Sequence, residues 1–571
     1  MAEPRSLYLD NFDALRSFDR QAAMRLEIEL SRAGVSARPI DAEGAWVPVG
    51  YPPQDSVVLL GAGDGGRLER LLATTPAQVI VAECDAVAWR HLLERVALAN
   101  ALESGRLRLL VPCCASPVSR EVSLRECLPL LLDRLHRPGG TLHFMETATT
   151  AWHAGFYHEL RDGVLAGART VGEFRQAASA GFAYDVTVIS PCCEIFDDLA
   201  RCFQRLGLAT QLLRVPDSRG VWSDRERRET LLSLARNPSR LIVTRNRVLF
   251  EAELPNDYAQ IESLIPGQVV SWWWDVPNLA THAECRYPRG QAIAMGFARD
   301  ILRQLPAGSE WLPPGARSGF VDAGMQSLNG HDLPATFVGQ SRIGLVHSNV
   351  ATLARVLADL GGDGGALAAD LGRFEGYERL YRYLLRQRDA VVATIRALHA
   401  AFPVHAYFMR YLFDMALTGA FRVAAIERLV REKLPVVIYG DDDWLKVPGV
   451  AARHFEGLIH PAELPGLYRR SALNLNLNFM QVSSTVNPKV LDIAAAGAAV
   501  LTDYRPEVDI LYPDPASRPF VFHDLDELPE RVQSLLRRDL ARQCEAVREH
   551  TVRHHTLQQR AQRLAARFGL I

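Results

Sequence analysis

The chain has 571 residues, 48% of them apolar and 23% charged, a balance that excludes a disordered or fibrous protein and predicts several folded domains. Its net charge of −2 excludes bulk electrostatic attachment to nucleic acid or to an anionic membrane. No run of about 18 apolar residues occurs, and the opening MAEPRSLYLDNFD lacks the basic and apolar parts of a signal peptide, so a cytoplasmic protein with no transmembrane segment is expected.

Residues 1–50 read as helical, with an amphipathic period from Ala14 to Leu30. Ser56–Leu60 is a buried strand, Gly61-Ala-Gly-Asp-Gly-Gly66 a glycine-rich turn into a helix, and Gln78–Ala82 a second strand that ends at Glu83. Glycines after one strand with an acid about 20 residues on form a dinucleotide or S-adenosylmethionine fingerprint. Gly61, Gly63, Gly65 and Glu83 are its candidate residues. Any tight strand-to-helix turn needs such glycines, so a Rossmann-like domain that binds nothing there is the competing reading. Residues 151–182 read as a helical connection that closes a first domain at 1–182. The order VVLLGAGDGGRLERLL, VIVAECD, a helix and Arg106-Leu-Arg-Leu-Leu110 is similar to the N-terminal domain of motility accessory factor (Maf) proteins, the flagellin glycosyltransferases. The resemblance implies an accessory domain beside a transferase. The nine cysteines include two adjacent pairs, Cys113-Cys114 and Cys192-Cys193, but no CxxC, which predicts reduced thiols.

A second α/β domain is expected over 183–330. Strands at Asp185–Ser190, Thr210–Arg214, Arg240–Thr244 and Val269–Trp274 alternate with helices, the pattern of a parallel sheet. In Ser271-Trp-Trp-Trp-Asp-Val-Pro-Asn278 three consecutive tryptophans cannot share one face of a strand, so at least one reaches the carboxyl edge beside Asp275. Aromatic core plus a turn aspartate before Pro277 is the plainer alternative. Residues 317–333 read as a polar crossover.

A third domain is expected over 331–571. Ala335–Val338 is a strand, Gly339 lets a diphosphate approach the backbone, and Arg342 can neutralise it; a plain strand-to-helix turn is the alternative. Residues 348–432 show helical spacing without a strand signal, which predicts a helical insertion. Pro435–Gly440 is a strand. The Asp441-Asp-Asp-Trp444 that follows reads as a turn near a nucleobase rather than a metal site, since no histidine or further acid stands at ligand spacing. Leu473, Leu475, Leu477 and Phe479 alternate with Asn474, Asn476 and Asn478, a strand with one apolar and one amide face. The polar run Gln481–Asn487, with Thr485 and Asn487, leads into a helix from Pro488 to Ala496, stopped by Gly497. A loop that leaves a strand and feeds a helix N-terminus is where backbone N–H groups collect phosphate. Lys489, one of three lysines in the chain, is placed to meet a phosphate, and Asp492 can accept from two ribose hydroxyls. A capped surface helix with a Lys489–Asp492 pair is the alternative.

The segments Gly457–Tyr468, Asn487-Pro-Lys-Val-Leu-Asp-Ile493 and Leu501–Tyr504 resemble the C-terminal half of glycosyltransferases of the spore-maturation-protein CgeB type. More distantly they are similar to the retaining group with a Glu-x7-Glu motif, in which Asp492 takes the place of the second Glu and Ser484 that of the first. The resemblance implies the GT-B architecture: two Rossmann-like domains across a cleft, here with an N-terminal accessory domain and a helical insertion. It further implies a nucleotide-diphospho-sugar donor, a protein or glycan acceptor, no metal or other cofactor, and a tryptophan-rich strand ending in an acid. If the transfer inverts, Asp275 is the candidate base and His282 the second; Gly339, Arg342, Thr485, Asn487, Lys489 and Asp492 are the candidate donor residues. An S-adenosylmethionine-dependent methyltransferase resting on Gly61 to Glu83, alone or fused, and a non-catalytic scaffold are the rival readings.

Overall fold

The computed structural model describes residues 7–18, 52–112, 142–178, 181–191, 193–216, 224–246, 265–274, 292–303, 307–325, 330–359, 376–399, 403–447 and 454–571, with isolated positions between them. Asp275 and His282, Cys113, Cys114 and Cys192, and most of the expected helix at Ala14–Leu30 lie outside the described residues; a helix at Leu7–Phe18 is described.

Three parallel sheets succeed one another along the chain. The first comprises β1 (Ser56–Leu60), β2 (Gln78–Ala82), β3 (Leu107–Leu110) and β4 (Leu142–Glu146) in the order β3-β2-β1-β4. The second comprises β5 (Tyr184–Ser190), β6 (Thr210–Arg214), β7 (Ser239–Arg245), β8 (Gln268–Trp273), β9 (Ala292–Gly296) and β10 (Glu310–Trp311), in the order β10-β9-β8-β7-β5-β6. The third comprises β11 (Leu333–Val338), β12 (Val436–Tyr439), β13 (Phe455–Gly457), β14 (Ser471–Asn476), β15 (Val500–Asp503) and β16 (Phe520–Phe522), in the order β13-β12-β11-β14-β15-β16. The first and third follow the doubly wound order that reverses between the first and fourth strands, and the second the flavodoxin-like order. The protein is therefore α/β, and its second and third sheets make the paired Rossmann-like arrangement of a GT-B fold.

β1, β2 and β12 are near-continuous apolar runs, the pattern of strands covered on both faces. β1 is buried at all five residues, and Val188, Leu241, Val243, Val270 and Trp272 form one side of the second sheet. Trp272 and Trp274 lie with ring centroids 4.9 Å apart, as period two allows, and Trp273 is buried in the same core cluster. Trp274 stacks on Phe297 at the carboxyl edge.

Between β11 and β12 the described residues form helices Ile343–Asp359, Tyr377–His399 and Pro403–Arg431. Phe413, Ala416, Leu417, Ala420 and Ala424 of the last pack into the core of the third sheet, small residues at spacing four letting the helix lie close.

The crossover between the second and third sheets is not the plain polar linker its composition suggests. Ser318–Gly324 is a helix, and its Phe320 packs with Tyr468, Val486 and Val490. Apolar Phe320 and Val321 inside a polar stretch supply the face that holds it. The final helix, Leu557–Arg567, returns to the second sheet, where Leu557, Ala561, Leu564 and Ala565 complete a core with Phe196 and Phe203. Arg560 fixes this return by donating to the carbonyls of Pro313 (2.8 Å) and Pro314 (3.0 Å).

Candidate functional site

The crevice of the third sheet opens between β11 and β14. The chain leaves β11 through Gly339, whose N–H donates to Tyr439 O (2.8 Å) and whose carbonyl accepts from Trp444 Nε1 (2.8 Å). Ser341 donates its N–H and hydroxyl to the two oxygens of Asp441 (2.8 and 2.6 Å). Arg342 then turns at φ +61°, a conformation that costs an L residue about 1 kcal/mol or more, and the helix Ile343–Asp359 begins. The first aspartate of the triplet thus braces this turn, while Asp443 pairs with Lys446. Among the described residues no group of three His, Cys, Asp or Glu is arranged to hold a metal ion.

On the other side of the crevice the amide face of β14 is buried, not presented to solvent. Asn474 accepts from Thr336 Oγ1 and donates to Tyr468 O, and Asn476 and Asn478 share Thr502 Oγ1. Asn478 Oδ1 accepts from Asn487 N (2.8 Å), which pins the start of the next helix. That helix spans Pro488–Ala495, with Asn487 capping Lys489 N (3.0 Å). The Thr485 hydroxyl is buried without a hydrogen-bond partner.

Lys489 points into the crevice, where its Nζ donates to Val338 O at 2.6 Å. Burial first, then the charge of Arg422, lowers its pKa to about 7, with Asp492 opposing. Arg422, from the helix Pro403–Arg431, donates to Leu477 O (3.3 and 3.2 Å) and Gln340 O (3.3 Å); burial, then Arg342, lowers its pKa to about 10. Arg342 and Arg422 both lie over the Phe479 ring, at 5.0 and 4.5 Å. Neither Lys489 nor Arg422 forms an ion pair with a carboxylate among the described residues, although each is largely desolvated. A buried cation with carbonyl partners alone is costly.

Arg422 was not among the residues singled out from sequence. Its signal was the spacing-four set Arg410, Asp414, Thr418 and Arg422 along an otherwise apolar helix. Asp414 is fully buried and accepts from Arg410 Nε (2.6 Å), and Thr418 Oγ1 accepts from Met480 N (2.9 Å). The helical insertion therefore lines the site as well as adding core.

Asp492 is placed differently from its expected contact with a ribose. It is 2% exposed, and its oxygens accept from Arg317 N (2.9 Å) and Nε (3.0 Å). Arg317 also donates to Glu194 Oε2 at 2.6 Å, so it clasps the helix Pro488–Ala495 to the helix Glu194–Arg205 of the second sheet. Burial raises the Asp492 pKa against the pull of Arg317. A ribose reaches this carboxylate only if Arg317 yields an oxygen.

The glycine turn after β1 is closed. Glu83 is fully buried and accepts from Ala62 N (2.7 Å), Asp85 N (2.7 Å), Thr149 Oγ1 (2.7 Å) and Tyr157 OH (3.0 Å). Gly63 N donates to Thr149 Oγ1 (3.1 Å), and a Cβ on Gly61 would lie 2.5 Å from Thr147 Oγ1. Gly65 abuts Val96 in the same way, with 2.6 Å left for a Cβ. The carboxylate of Glu83, the acid of the sequence fingerprint, ties the turn together.

Among the described residues no helix is long and apolar enough to cross a membrane. No curated protein sequence matches the chain. Solved structures to which it is similar include AviGT4, a glycosyltransferase involved in avilamycin A biosynthesis (11% identity, 67% of this chain and 97% of that one, TM-score 0.37). A glycosyltransferase from Rickettsia africae ESF-5 shows 9% identity over the same shares at TM-score 0.37. The MAf glycosyltransferase from Magnetospirillum magneticum AMB-1 shows 13% identity over 73% of this chain and 91% of that one, at TM-score 0.18. Residues 420–566, which carry β12 to β16, Lys489 and Asp492, match the family model described as glycosyl transferase-like.

Proposed function

We propose that the chain is a glycosyltransferase that takes a sugar from a nucleotide-diphospho-sugar at the third sheet and passes it to a protein or glycan acceptor. The observation that carries this is the pair Lys489 and Arg422 at the crevice between β11 and β14, desolvated and facing backbone carbonyls, with Arg342 beside them over the Phe479 ring. A diphosphate supplies the missing negative charge, and in sugar transfer the same groups stabilise it as it departs. Thr485 and the N-terminus of Pro488–Ala495 add donors, and Gly339 admits the phosphates to the backbone. Asp492 meets the ribose once Arg317 lets go of one oxygen. The acceptor enters from the second sheet, where Asp275, next to Trp274, is the proposed base and His282 the alternate. No metal or other cofactor enters this scheme. The narrower kinship with CgeB-type transferases, and a flagellin-like acceptor, belong to the same proposal.

The occupied Glu83 speaks for the first sheet as an accessory unit rather than a methyltransferase. Thermal shift with UDP-, GDP- and TDP-sugars against S-adenosylmethionine tests the choice. Stabilisation by at least one nucleotide sugar is expected, and stabilisation by S-adenosylmethionine alone would reverse it. Calorimetry with nucleoside, monophosphate and diphosphate then assigns the ends of the ligand. Asp492→Ala is expected to weaken all three by roughly tenfold, a charged hydrogen bond being worth about 1.5–3 kcal/mol.

A further inference from the structure

The loop that leaves β14 for the helix Pro488–Ala495 already holds an anion, and it comes from the opposite sheet. Asp300 follows β9 in the short helix Arg299–Leu302. Its Oδ2 accepts from Ser483 N (2.7 Å), Ser483 Oγ (2.8 Å) and Ser484 N (3.2 Å), and its Oδ1 accepts from Ser484 Oγ (2.9 Å). Asp300 N donates back to Ser484 Oγ at 3.2 Å. Three donors, Ser483 N, Ser483 Oγ and Ser484 N, thus converge on one carboxylate oxygen, while the single Ser484 hydroxyl proton is shared between Asp300 Oδ1 and Glu507 Oε1 (2.5 Å). The neighbouring contact binds the same two elements: Glu507 Oε1 accepts from Arg299 N (2.6 Å), and Glu507 N donates to Ser484 O (2.7 Å).

Two further observations mark this as a ligand's place. The next residue, Thr485, is 2% exposed, and its hydroxyl has no partner. Lys489, in the first turn of the helix that this loop feeds, forms no ion pair among the described residues. The side chain of Asp300 stands in for an oxyanion: a phosphate of the donor or a carboxylate of an acidic sugar. Such a group accepts the same hydrogen bonds with the same charge, and charge-assisted bonds of this kind are roughly twice as strong as neutral ones.

We propose that Ser483, Ser484 and Thr485 form an oxyanion subsite that the chain's own Asp300 occupies when the cleft is closed without substrate, so that Asp300 is an autoinhibitory plug. This deepens the donor-site reading and rests on it for the identity of the ligand, but not for the presence of the subsite. Substrate entry then exchanges one anion for another, and the exchange frees the second sheet from the loop at Ser483.

The test is calorimetry of wild type and Asp300→Ala with inorganic pyrophosphate and, separately, glucuronate. Removal of the plug is expected to tighten one of them at least tenfold: pyrophosphate if the subsite serves the donor phosphates, glucuronate if it serves an acidic sugar. The gain should vanish in Asp300→Ala combined with Ser483→Ala and Ser484→Ala. Unchanged or weaker binding of both anions by Asp300→Ala, with its melting temperature kept, overturns the inference. So does a gain that survives loss of the two serines. Failure of every nucleotide to bind wild type would overturn the donor reading instead, and would leave a pyrophosphate gain in Asp300→Ala intact.

Discussion

The first and third sheets share the order of their first four strands, and so the same crevice between first and fourth. The first has the richer glycine turn, with Gly61, Gly63 and Gly65 all at positive φ. Its crevice is nevertheless filled by Glu83 and by Thr147, Thr149 and Thr150, which hydrogen-bond to the turn and to one another. The third has one glycine after β11, and its crevice is lined by Lys489 and Arg422, whose hydrogen-bond acceptors among the described residues are backbone carbonyls. Glycines report a tight turn. Whether the turn is a site is decided by what charge the surrounding side chains leave unbalanced.

The sharpest break of this comparison exchanges the charges. Lys489→Ala is expected to weaken nucleoside diphosphate binding about 10- to 100-fold, the worth of one charge-assisted hydrogen bond. Glu83→Gln should leave that binding within about twofold while lowering stability by about 1–3 kcal/mol, because buried donors lose their charged acceptor. Calorimetry and chemical denaturation read the two halves. Equal losses of binding in both would make the contrast empty.

pH separates the crevices next. The Lys489 pKa of about 7 applies without ligand, and a bound diphosphate favours the charged amine. Binding therefore takes up a proton above pH 7, and affinity should fall as pH rises through 7, by up to about tenfold per unit. Stability of the free protein moves the other way. Unfolded lysine titrates near 10.4, so between about 7 and 10.4 the unfolded chain holds the extra proton, and stability from this group rises with pH. Calorimetry in buffers of different ionisation enthalpy counts the proton directly, and Lys489→Ala should abolish it.

A third comparison uses the turns themselves. Gly61→Ala places a Cβ 2.5 Å from Thr147 Oγ1 at φ +86°, so it should cost about 2 kcal/mol or more of stability and no nucleotide affinity. Gly339→Ala meets only the Phe337 ring, at 2.9 Å, and should cost less stability but roughly tenfold in diphosphate affinity, as the phosphates lose their approach to the backbone. The smallest expected effect is that of Asp441→Ala, which unbraces Ser341 and should weaken diphosphate binding about threefold, read by the same titration.

The strands and their helices were legible because each is a local pattern. The alternating leucines and asparagines of β14, Pro488 at a first helical turn and Gly497 at a stop (φ +75°) are all decided within a few residues. The charges that make or close the crevices were not, because their partners are remote in sequence. Arg422 meets Gln340 over 82 positions, Ser341 meets Asp441 over 100, Arg317 meets Asp492 over 175 and Asp300 meets Ser484 over 184. Glu83 was readable as an acid at ribose spacing, but Thr149, which occupies it, stands 66 residues later. Asp492 was readable as an acid one turn into the right helix, with nothing nearby to announce Arg317.

The return of the helix Leu557–Arg567 to the second sheet has a consequence for how the protein is made. Leu557, Ala561 and Leu564 belong to the core of a sheet whose last strand ends at Trp311. On the ribosome that sheet emerges roughly 250 residues before the helix that completes it, a wait of about 10–50 s at ordinary elongation rates. Throughout that interval Phe196, Phe203 and Trp272 are synthesised without their covering side chains. The nascent second domain is thus the part of the chain most in need of a chaperone, and a stop codon placed before Leu557 would harm the fold far upstream of the residues it removes.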